Sequence, residues 1–263
     1  NDAIPRRLNV LDTLEGKTAL QRPIAGLPPL SRATGTDDET VRDRLRMLAA
    51  VDEGVGQLYR ELKKQKQLDD TVFIFTSDHG YWYGEHGLSV ERRLAYEEGI
   101  RIPFLVRYPP QVAAGEVVDA LATTVDLAPT VLDLAGVKKT DHGFDGRSLV
   151  PLLDGTTPDD WRQSVFLEYY SDTVFPRLKQ MGYQAIRTPR WKYIQYREQQ
   201  GMDELYDLKL DPYEMENVID RKDLRPVLTQ LRDELAQLAT RKPGAEQTSR
   251  KENAKDGIRR EFN

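Results

Sequence analysis

The sequence feature that most constrains the fold is a short apolar run, TVFIFTS, which spans residues 71–77 and ends directly before Asp78. β-Branched and aromatic residues in an uninterrupted run are typical of a strand that is buried on both faces. Ahead of this run, residues 37–66 carry apolar side chains at helical spacing, with Thr36 or Asp37 as the cap. A helix followed by a buried strand with a carboxylate at its end predicts an α/β domain that binds ligands there.

Two further segments continue this pattern. The apolar run IPFLVRY at 102–108 predicts another strand, and residues 126–136 predict a helix with Pro in its first turn and Gly at its end. Strands that alternate with helices favour a mainly parallel sheet. Residues 1–35 contain four prolines and no sustained period, and we interpret them as a connection along the surface.

After Trp161 the pattern changes to short strand-like pieces joined by turns, which predicts a small antiparallel sheet. One amphipathic helix over residues 224–241 is expected to cover that sheet. The domain organisation that follows is an α/β part over 1–158, a small α+β part over 159–245 and a charged flexible tail over 246–263.

Composition limits the possible partners and the chemistry. The formal net charge of −5 argues against nucleic acid as the main partner, because phosphate binding requires a dominant basic surface. The chain has no cysteine, which excludes thiolate metal sites and a cysteine nucleophile within it. Its apolar runs are all shorter than the roughly 20 residues of a transmembrane helix, so no membrane span is predicted.

The densest group of polar residues lies in TSDHGYWYGEHGLSVERRLAYEEGIRIPF, residues 76–104, which holds two of the three histidines. Asp78 and His79 stand at the predicted strand end, and a turn at Gly80 can direct both side chains toward one ion. A calcium ion requires about six to eight oxygen ligands, so further ligands must come from elsewhere. Taken alone, Asp-His-Gly is more often a capped turn than a metal site.

The segments TSDHG, GEHG and ERRLAYEEGIRIPF together resemble the carboxy-terminal signature of type I sulfatases in the alkaline phosphatase superfamily. Later segments resemble further landmarks of that family in the same order: TTVDLAPTVLDLAGV, FDGRSLVPLLDG, IRTPRWKYIQY and ELYDLKLDPYEMENV. The resemblance includes arylsulfatases and the N-acetylglucosamine and sulfoglucosamine types of glycan sulfatase. It implies the carboxy-terminal part of an alkaline-phosphatase-like sandwich with a mainly parallel sheet, plus the small antiparallel-sheet-and-helix subdomain.

The resemblance also implies roles for individual residues. Asp78 and His79 correspond to ligands of one calcium ion. Arg92 stands where these sulfatases have a lysine that contacts the sulfate group, and we predict it as a catalytic residue. Arginine keeps the charge and can bind an oxyanion through two hydrogen bonds, but it does not readily give up a proton. Arg93 beside it is a candidate substrate-binding residue.

Two histidines and one acidic pair complete the candidates. His86 in the GEHG turn is a catalytic candidate near the leaving group, with a structural role equally open. His142 is a substrate-binding candidate, although a loop histidine of this kind is more often a surface residue. Glu97 and Glu98 are expected to form a buried ionic clamp with Arg101 that holds the loop.

The nucleophile of these sulfatases is a formylglycine made from Cys or Ser in a C/S-x-P-x-R signature, and this sequence contains no such pentapeptide. We therefore expect the formylglycine and the remaining calcium ligands in an amino-terminal half that the chain lacks. Because a nucleophile must be activated beside the metal, the isolated chain is expected to be inactive.

The function that this resemblance implies is hydrolysis of a sulfate monoester, with a sulfated carbohydrate as the favoured substrate. A phosphonate or phosphodiester hydrolase of the same superfamily is one alternative, and a non-catalytic binding module is another. A two-zinc phosphatase is disfavoured because the chain has only three histidines. Family habit implies a periplasmic or secreted protein, while a cytoplasmic one stays open.

Overall fold

The computed structural model describes residues 4–91, 93–137, 143–170 and 173–240. The α-helices are α1 (Thr18–Gln21), α2 (Asp38–Lys64), α3 (Glu97–Ile100), α4 (Leu127–Leu134) and α5 (Arg225–Ala239). The strands are β1 (Phe73–Thr76), β2 (Phe104–Arg107), β3 (Val165–Tyr169), β4 (Tyr183–Arg187), β5 (Trp191–Tyr196) and β6 (Glu204–Asp207). Every helix and strand predicted from periodicity within these ranges is present. The charged tail lies outside them, and the three-part domain division stays a prediction.

The long helix α2 begins as its sequence predicts. The Asp37 side chain accepts a hydrogen bond from the Thr40 N–H at 2.9 Å, and Asp38 and Glu39 follow in the first turn. The helix α4 also follows its prediction, because Pro129 lies in its first turn and Gly136 takes a positive φ of 72° just beyond its end. No helix among the described residues is long and apolar enough to cross a membrane.

The strand β1 pairs with β2 in an antiparallel register, with Phe73 opposite Arg107 and Thr76 opposite Phe104. The expected parallel sheet is therefore wrong for the described residues, in which both sheets are antiparallel. The reason lies in the connection between the two strands, which folds back through the one-turn helix α3 instead of crossing over through a long packed helix. The β1 strand is half-buried rather than buried on both faces.

The small sheet has the predicted antiparallel order β3-β4-β5-β6. One face packs against α5 through a cluster that includes Ile186, Tyr193, Leu205, Leu228, Leu231 and Leu235. The opposite face packs against the polar loop of residues 76–104 through Ala185, Ile194, Tyr206, Trp82, Leu94 and Tyr96. The small sheet is thus the platform on which the candidate site loop rests.

The amino-terminal segment runs along the surface as expected over residues 21–34, but residues 9–20 are partly buried. Leu14, Ala19 and Leu20 belong to the same apolar cluster as the site loop and the small sheet, and Asn9 and Lys17 are fully buried beside it. The prediction was wrong for these buried residues because the segment shows no hydrophobic periodicity. Its burial depends on a few apolar side chains that are spaced irregularly between turns.

Candidate metal and substrate site

The candidate metal ligands Asp78 and His79 lie together just beyond the end of β1. The Asp78 Oδ2 and His79 Nε2 atoms are 3.6 Å apart, and the Asp78 side chain is 85% exposed. The His79 Nδ1 atom lies 2.6 Å from the Gly80 carbonyl oxygen, which can only accept a hydrogen bond. Nδ1 therefore donates to that oxygen, which leaves Nε2, on the side of the Asp78 carboxylate, as the nitrogen that a metal ion could bind.

The electrostatics of Asp78 agree with this geometry. The positive charge that His79 carries when it is protonated, aided by a hydrogen bond from the His79 N–H, lowers the pKa of the Asp78 carboxyl. An aspartate is ionised at neutral pH already at its ordinary pKa of 3.8, and the lowered pKa extends to more acidic solution the state that binds a cation.

These two side chains fit a calcium ion only as part of its ligand set. Carboxylate oxygen suits calcium well, but a sphere of about six to eight ligands exceeds what one carboxylate and one imidazole supply. The described residues contain no group of three or more acidic, histidine or cysteine side chains that could hold a metal ion. Asp78 and His79 would therefore need further oxygen ligands to complete the sphere.

The turn after His79 is in close contact with α3. The Gly80 N–H donates to the Gly99 carbonyl oxygen at 2.9 Å. A Cβ atom built on Gly80 would lie 1.9 Å from the Glu98 carbonyl oxygen, far inside van der Waals contact. Only glycine fits this position, so the backbone of α3 and the backbone next to the metal ligands are held together.

Helix α3 carries the predicted acidic clamp, but the partners differ from those expected. Both Glu97 and Glu98 are buried and paired, which confirms that part of the prediction. Glu97 lies 2.9 Å from Lys192 Nζ and 3.2 Å from Arg187 Nη2, both on the small sheet. Arg101 is exposed. Arg101 was expected as the partner because it is close in sequence, whereas the actual partners of Glu97 lie on strands β4 and β5.

Lys192 is fully buried between two carboxylates. Its Nζ lies 2.7 Å from Glu214 Oε1, and Glu214 Oε2 accepts the Glu97 N–H at 2.7 Å. Burial raises the pKa of Glu97, but the charges of Lys192 and Arg187 outweigh it and hold that pKa at about 2. Burial, opposed by Lys192 and aided by the charge of Glu97, raises the pKa of Glu214 to about 7. Glu214 is therefore the carboxyl of this pair that takes up a proton near neutral pH.

The raised pKa of Glu214 predicts a pH-dependent stability that Glu214→Gln removes. The folded protein holds this proton up to about pH 7, while the unfolded chain releases it near 4.5. Its contribution is thus fully present below pH 4.5 and lost as the pH rises through 7. Urea unfolding at pH 5.5 and 8.5 measures it: relative to the variant, wild type should lose stability of order 1 kcal/mol between those values. A constant difference would contradict the prediction.

His86 is fully buried in a cluster with the amino-terminal segment. Its Nδ1 lies 2.5 Å from Asp12 Oδ2, and its Nε2 lies 3.4 Å from Asn9 Nδ2. Lys17 Nζ is 2.9 Å from the same Asp12 oxygen. Burial would raise the pKa of Asp12, but hydrogen bonding to His86 and the charge of Lys17 lower it. A catalytic role for His86 stays a prediction, and these contacts favour the structural alternative.

Of the three candidates for binding the substrate anion, the structure describes Arg93. Arg93 is exposed, with its guanidinium 5.2 Å from the centre of the Phe175 ring. Arg92 and His142 lie outside the described residues. The roles of all three stay predictions.

Sequence reasoning missed Lys192, although a signal was present. Lys192, Ile194 and Tyr196 occupy alternate positions of β5, so period two places the lysine on a buried face. A lysine on such a face requires acidic partners.

The family model described as N-sulphoglucosamine sulphohydrolase, C-terminal, matches residues 84–241, which is more than half of the chain. The model described as Sulfatase matches residues 15–137. The chain belongs to the sulfatase family. Both matches include the loop that carries His86 and α3, and the Sulfatase match also includes Asp78 and His79.

Curated relatives of this sulfatase chain are longer than it is. It is 40% identical over 180 residues to the N-acetylglucosamine-6-O-sulfatase of Bacteroides thetaiotaomicron, an alignment that covers 68% of this chain and 32% of the relative. It is 30% identical over 207 residues to the N-acetylglucosamine-6-sulfatase of Homo sapiens, with 69% and 37% covered. The chain thus spans about a third of the length of these relatives, at 32% and 37%.

Solved structures give the same fold. A protein in complex with its substrate D-glucosamine-2-N,6-O-disulfate matches with a TM-score of 0.68 at 36% identity, covering 73% of this chain and 38% of that one. The phosphonate monoester hydrolase of Agrobacterium radiobacter matches with a TM-score of 0.63 at 30% identity, covering 73% and 40%. The sulfatase chain therefore has the predicted alkaline-phosphatase-like fold of a carboxy-terminal part.

Proposed function

We propose that this chain is the carboxy-terminal part of a sulfatase that releases sulfate from a sulfate monoester, with a sulfated sugar as the substrate class. The observation that carries the proposal is the convergence of the Asp78 carboxylate and the His79 Nε2 lone pair, open to solvent, in a sulfatase chain. Relatives that are named as N-acetylglucosamine-6-sulfatases support a sulfated sugar as the substrate class.

In this proposal Asp78 and His79 hold one calcium ion together with ligands from outside the chain. The bound ion supplies electrostatic stabilisation of charge on the sulfate oxygens. Within the chain, Asp78 contributes an ionised oxygen, and the Gly80 carbonyl keeps the His79 imidazole in the required tautomer. We assign binding of the sulfate oxyanion to Arg92, Arg93 and His142. For His86, a role at the leaving group is the alternative to the structural role that its buried contacts favour.

The formylglycine nucleophile is proposed to lie in an amino-terminal part of the same protein. An apolar groove of about 420 Å³ between α2 and the β1–β2 sheet supports packing against such a part. It is lined by Leu48, Val51, Val55, Phe73, Phe75 and Leu105, among others. Exposed apolar surface of this kind normally marks a contact with further protein.

Export to the periplasm or the cell exterior is the location that we propose. A relative from Drosophila melanogaster that is 42% identical over 128 residues is named as an extracellular sulfatase homologue. Fractionation of the source cells, with the protein detected by antibody, tests the location.

Replacing Asp78 by Asn in the longest reading frame that encodes this chain tests the function. Loss of an ionised ligand is expected to lower kcat/KM for an aryl sulfate by at least about 100-fold. Asp69→Asn is the matched control, because Asp69 is also exposed, at 76% against 85% for Asp78, and lies before β1 rather than after it. Equal rates for the two variants, or wild-type turnover that survives a calcium chelator, would overturn the metal assignment.

The same assay with a phenylphosphonate monoester separates the second candidate function. The structural similarity to a phosphonate monoester hydrolase favours that reaction as the alternative. Dominant phosphonate turnover would replace sulfate ester hydrolysis as the function. Turnover of neither substrate, together with no calcium binding, would favour a non-catalytic binding module.

A further inference from the structure

A continuous path of contacts joins a buried acid, Glu98, to the candidate metal ligands. The Glu98 carboxylate is 3% exposed and lies on the side of α3 that faces the amino-terminal segment. Its Oε1 accepts a hydrogen bond from Asn9 Nδ2 at 2.8 Å and lies 3.5 Å from Arg7 Nη1. Its Oε2 lies 3.9 Å from His86 Nε2. The side chain thus attaches α3 to residues that are about 90 positions earlier in the chain.

The backbone of the same residue makes the second link. The Glu98 carbonyl oxygen lies where a Gly80 side chain would begin, and the neighbouring Gly99 carbonyl accepts the Gly80 N–H at 2.9 Å. Gly80 in turn holds His79 Nδ1 through its own carbonyl, at 2.6 Å. A shift of α3 would therefore move Gly80 and rotate the His79 imidazole relative to Asp78.

The opposite side of α3 is fixed independently. Glu97 is paired with Lys192 and Arg187, and its N–H donates to Glu214. One turn of helix is too short to hold its own position, because an isolated helix needs roughly 12–15 residues to be stable. The position of α3 therefore depends on its tertiary contacts, among them those of its two glutamates.

The Glu98 carboxylate is incompletely compensated, which argues against a purely stabilising role. Its Oε2 is buried and has no hydrogen-bond partner among the described residues. Burying a polar group with an unsatisfied oxygen costs free energy, and an apolar side chain of similar size would avoid that cost. The carboxylate instead connects α3 to the amino-terminal segment, through a hydrogen bond from Asn9 and an ion pair with Arg7.

We propose that Glu98 is a positioning residue for the metal site, acting through α3 and Gly80 to orient His79 toward the ion that Asp78 binds. This inference rests on the proposed function, because it takes Asp78 and His79 as ligands. Side chains that orient metal ligands typically contribute about 10–100-fold in metal affinity. We expect the Glu98 attachment to act at the lower end of that range, because two backbone contacts lie between it and the ligand.

The test is the calcium dissociation constant, measured by isothermal titration calorimetry on the full-length protein. Glu98→Ala is expected to raise the dissociation constant about 10-fold. Glu98→Gln is expected to raise it less, because the amide oxygen still accepts from Asn9. Asp126→Asn is the matched control: Asp126 is also fully buried and is paired with Arg162 at 2.7 Å, but its contacts lie outside the α3 turn. It should lose stability without losing calcium affinity.

The outcomes separate the two levels of the proposal. If wild type binds no calcium, or if Asp78→Asn binds it as wild type does, the metal assignment falls and the positioning role falls with it. If Asp78→Asn loses binding while both Glu98 variants keep wild-type affinity, only the positioning role is overturned. An equal loss of calcium affinity in Asp126→Asn would show that affinity follows overall stability, and it would also overturn the positioning role of Glu98. Circular dichroism checks that each variant folds. If Glu98→Ala does not fold, the calcium affinity of Glu98→Gln decides the test.

Discussion

Replacing Lys192 by Met is expected to lower the free energy of unfolding by about 3–5 kcal/mol, the usual result of removing one partner from a buried ion pair. Lys192 is fully buried and lies within 2.9 Å of Glu97 and 2.7 Å of Glu214. Methionine fills a similar volume but leaves two buried carboxylates facing each other. Urea unfolding of the full-length protein at pH 7, followed by tryptophan fluorescence, measures the loss.

The stability deficit of the Lys192→Met variant is also expected to depend on pH. Without the lysine, burial and repulsion from Glu97 raise the pKa of Glu214 further, while Arg187 still pairs with Glu97. Groups with a raised pKa contribute stability at low pH and lose it as the pH rises, so the deficit of the variant should be larger at pH 8 than at pH 5.

Arg221→Met is the matched control for this substitution. Arg221 pairs with Asp223 at 2.7 Å, but the two side chains are 53% and 64% exposed. Ion pairs open to solvent contribute about 0–1 kcal/mol, so this variant should remain close to wild type. Similar losses in the two variants would show that burial of Lys192 has no special effect, contrary to the prediction.

The local elements of the fold could be predicted because their signals are local. The cap at Asp37, the glycine after α4 and the short strand-like pieces that form β4 and β5 each depend on side chains only a few positions apart. Strand direction is different, since it depends on how the connection between β1 and β2 folds. Nothing in the apolar run at 102–108 distinguishes a parallel strand from an antiparallel one.

In the candidate site, too, local arrangements could be predicted from the sequence and long-range contacts could not. Asp78, His79 and Gly80 are adjacent, so their arrangement at a strand end could be expected from the sequence. The contact between His86 and Asp12 joins residues 74 positions apart, and the one between Glu98 and Asn9 joins residues 89 positions apart. Such pairs form only after tertiary packing, and no periodicity specifies which buried acid meets which base.

Gly80→Ala is expected to destabilise the folded protein by about 3 kcal/mol, near the upper end of the usual cost of overpacking. The added methyl carbon would lie 1.9 Å from the Glu98 carbonyl oxygen and 2.8 Å from the carbonyl carbon, which are backbone atoms and cannot rotate away. Either α3 or the turn must move. Because Gly80 also holds the His79 imidazole, the same variant should lose calcium affinity.

Gly54→Ala is the control that separates this clash from a general effect of replacing glycine. Gly54 lies within α2, and a Cβ atom there would meet nothing within 4 Å. Alanine is favoured over glycine in a helix interior by about 1 kcal/mol, so Gly54→Ala should raise stability. The two alanine variants are thus expected to move the urea midpoint in opposite directions. If Gly80→Ala instead matched wild type in stability and calcium affinity, α3 would not be in rigid contact with the turn, and the path from Glu98 to His79 would be broken at Gly80.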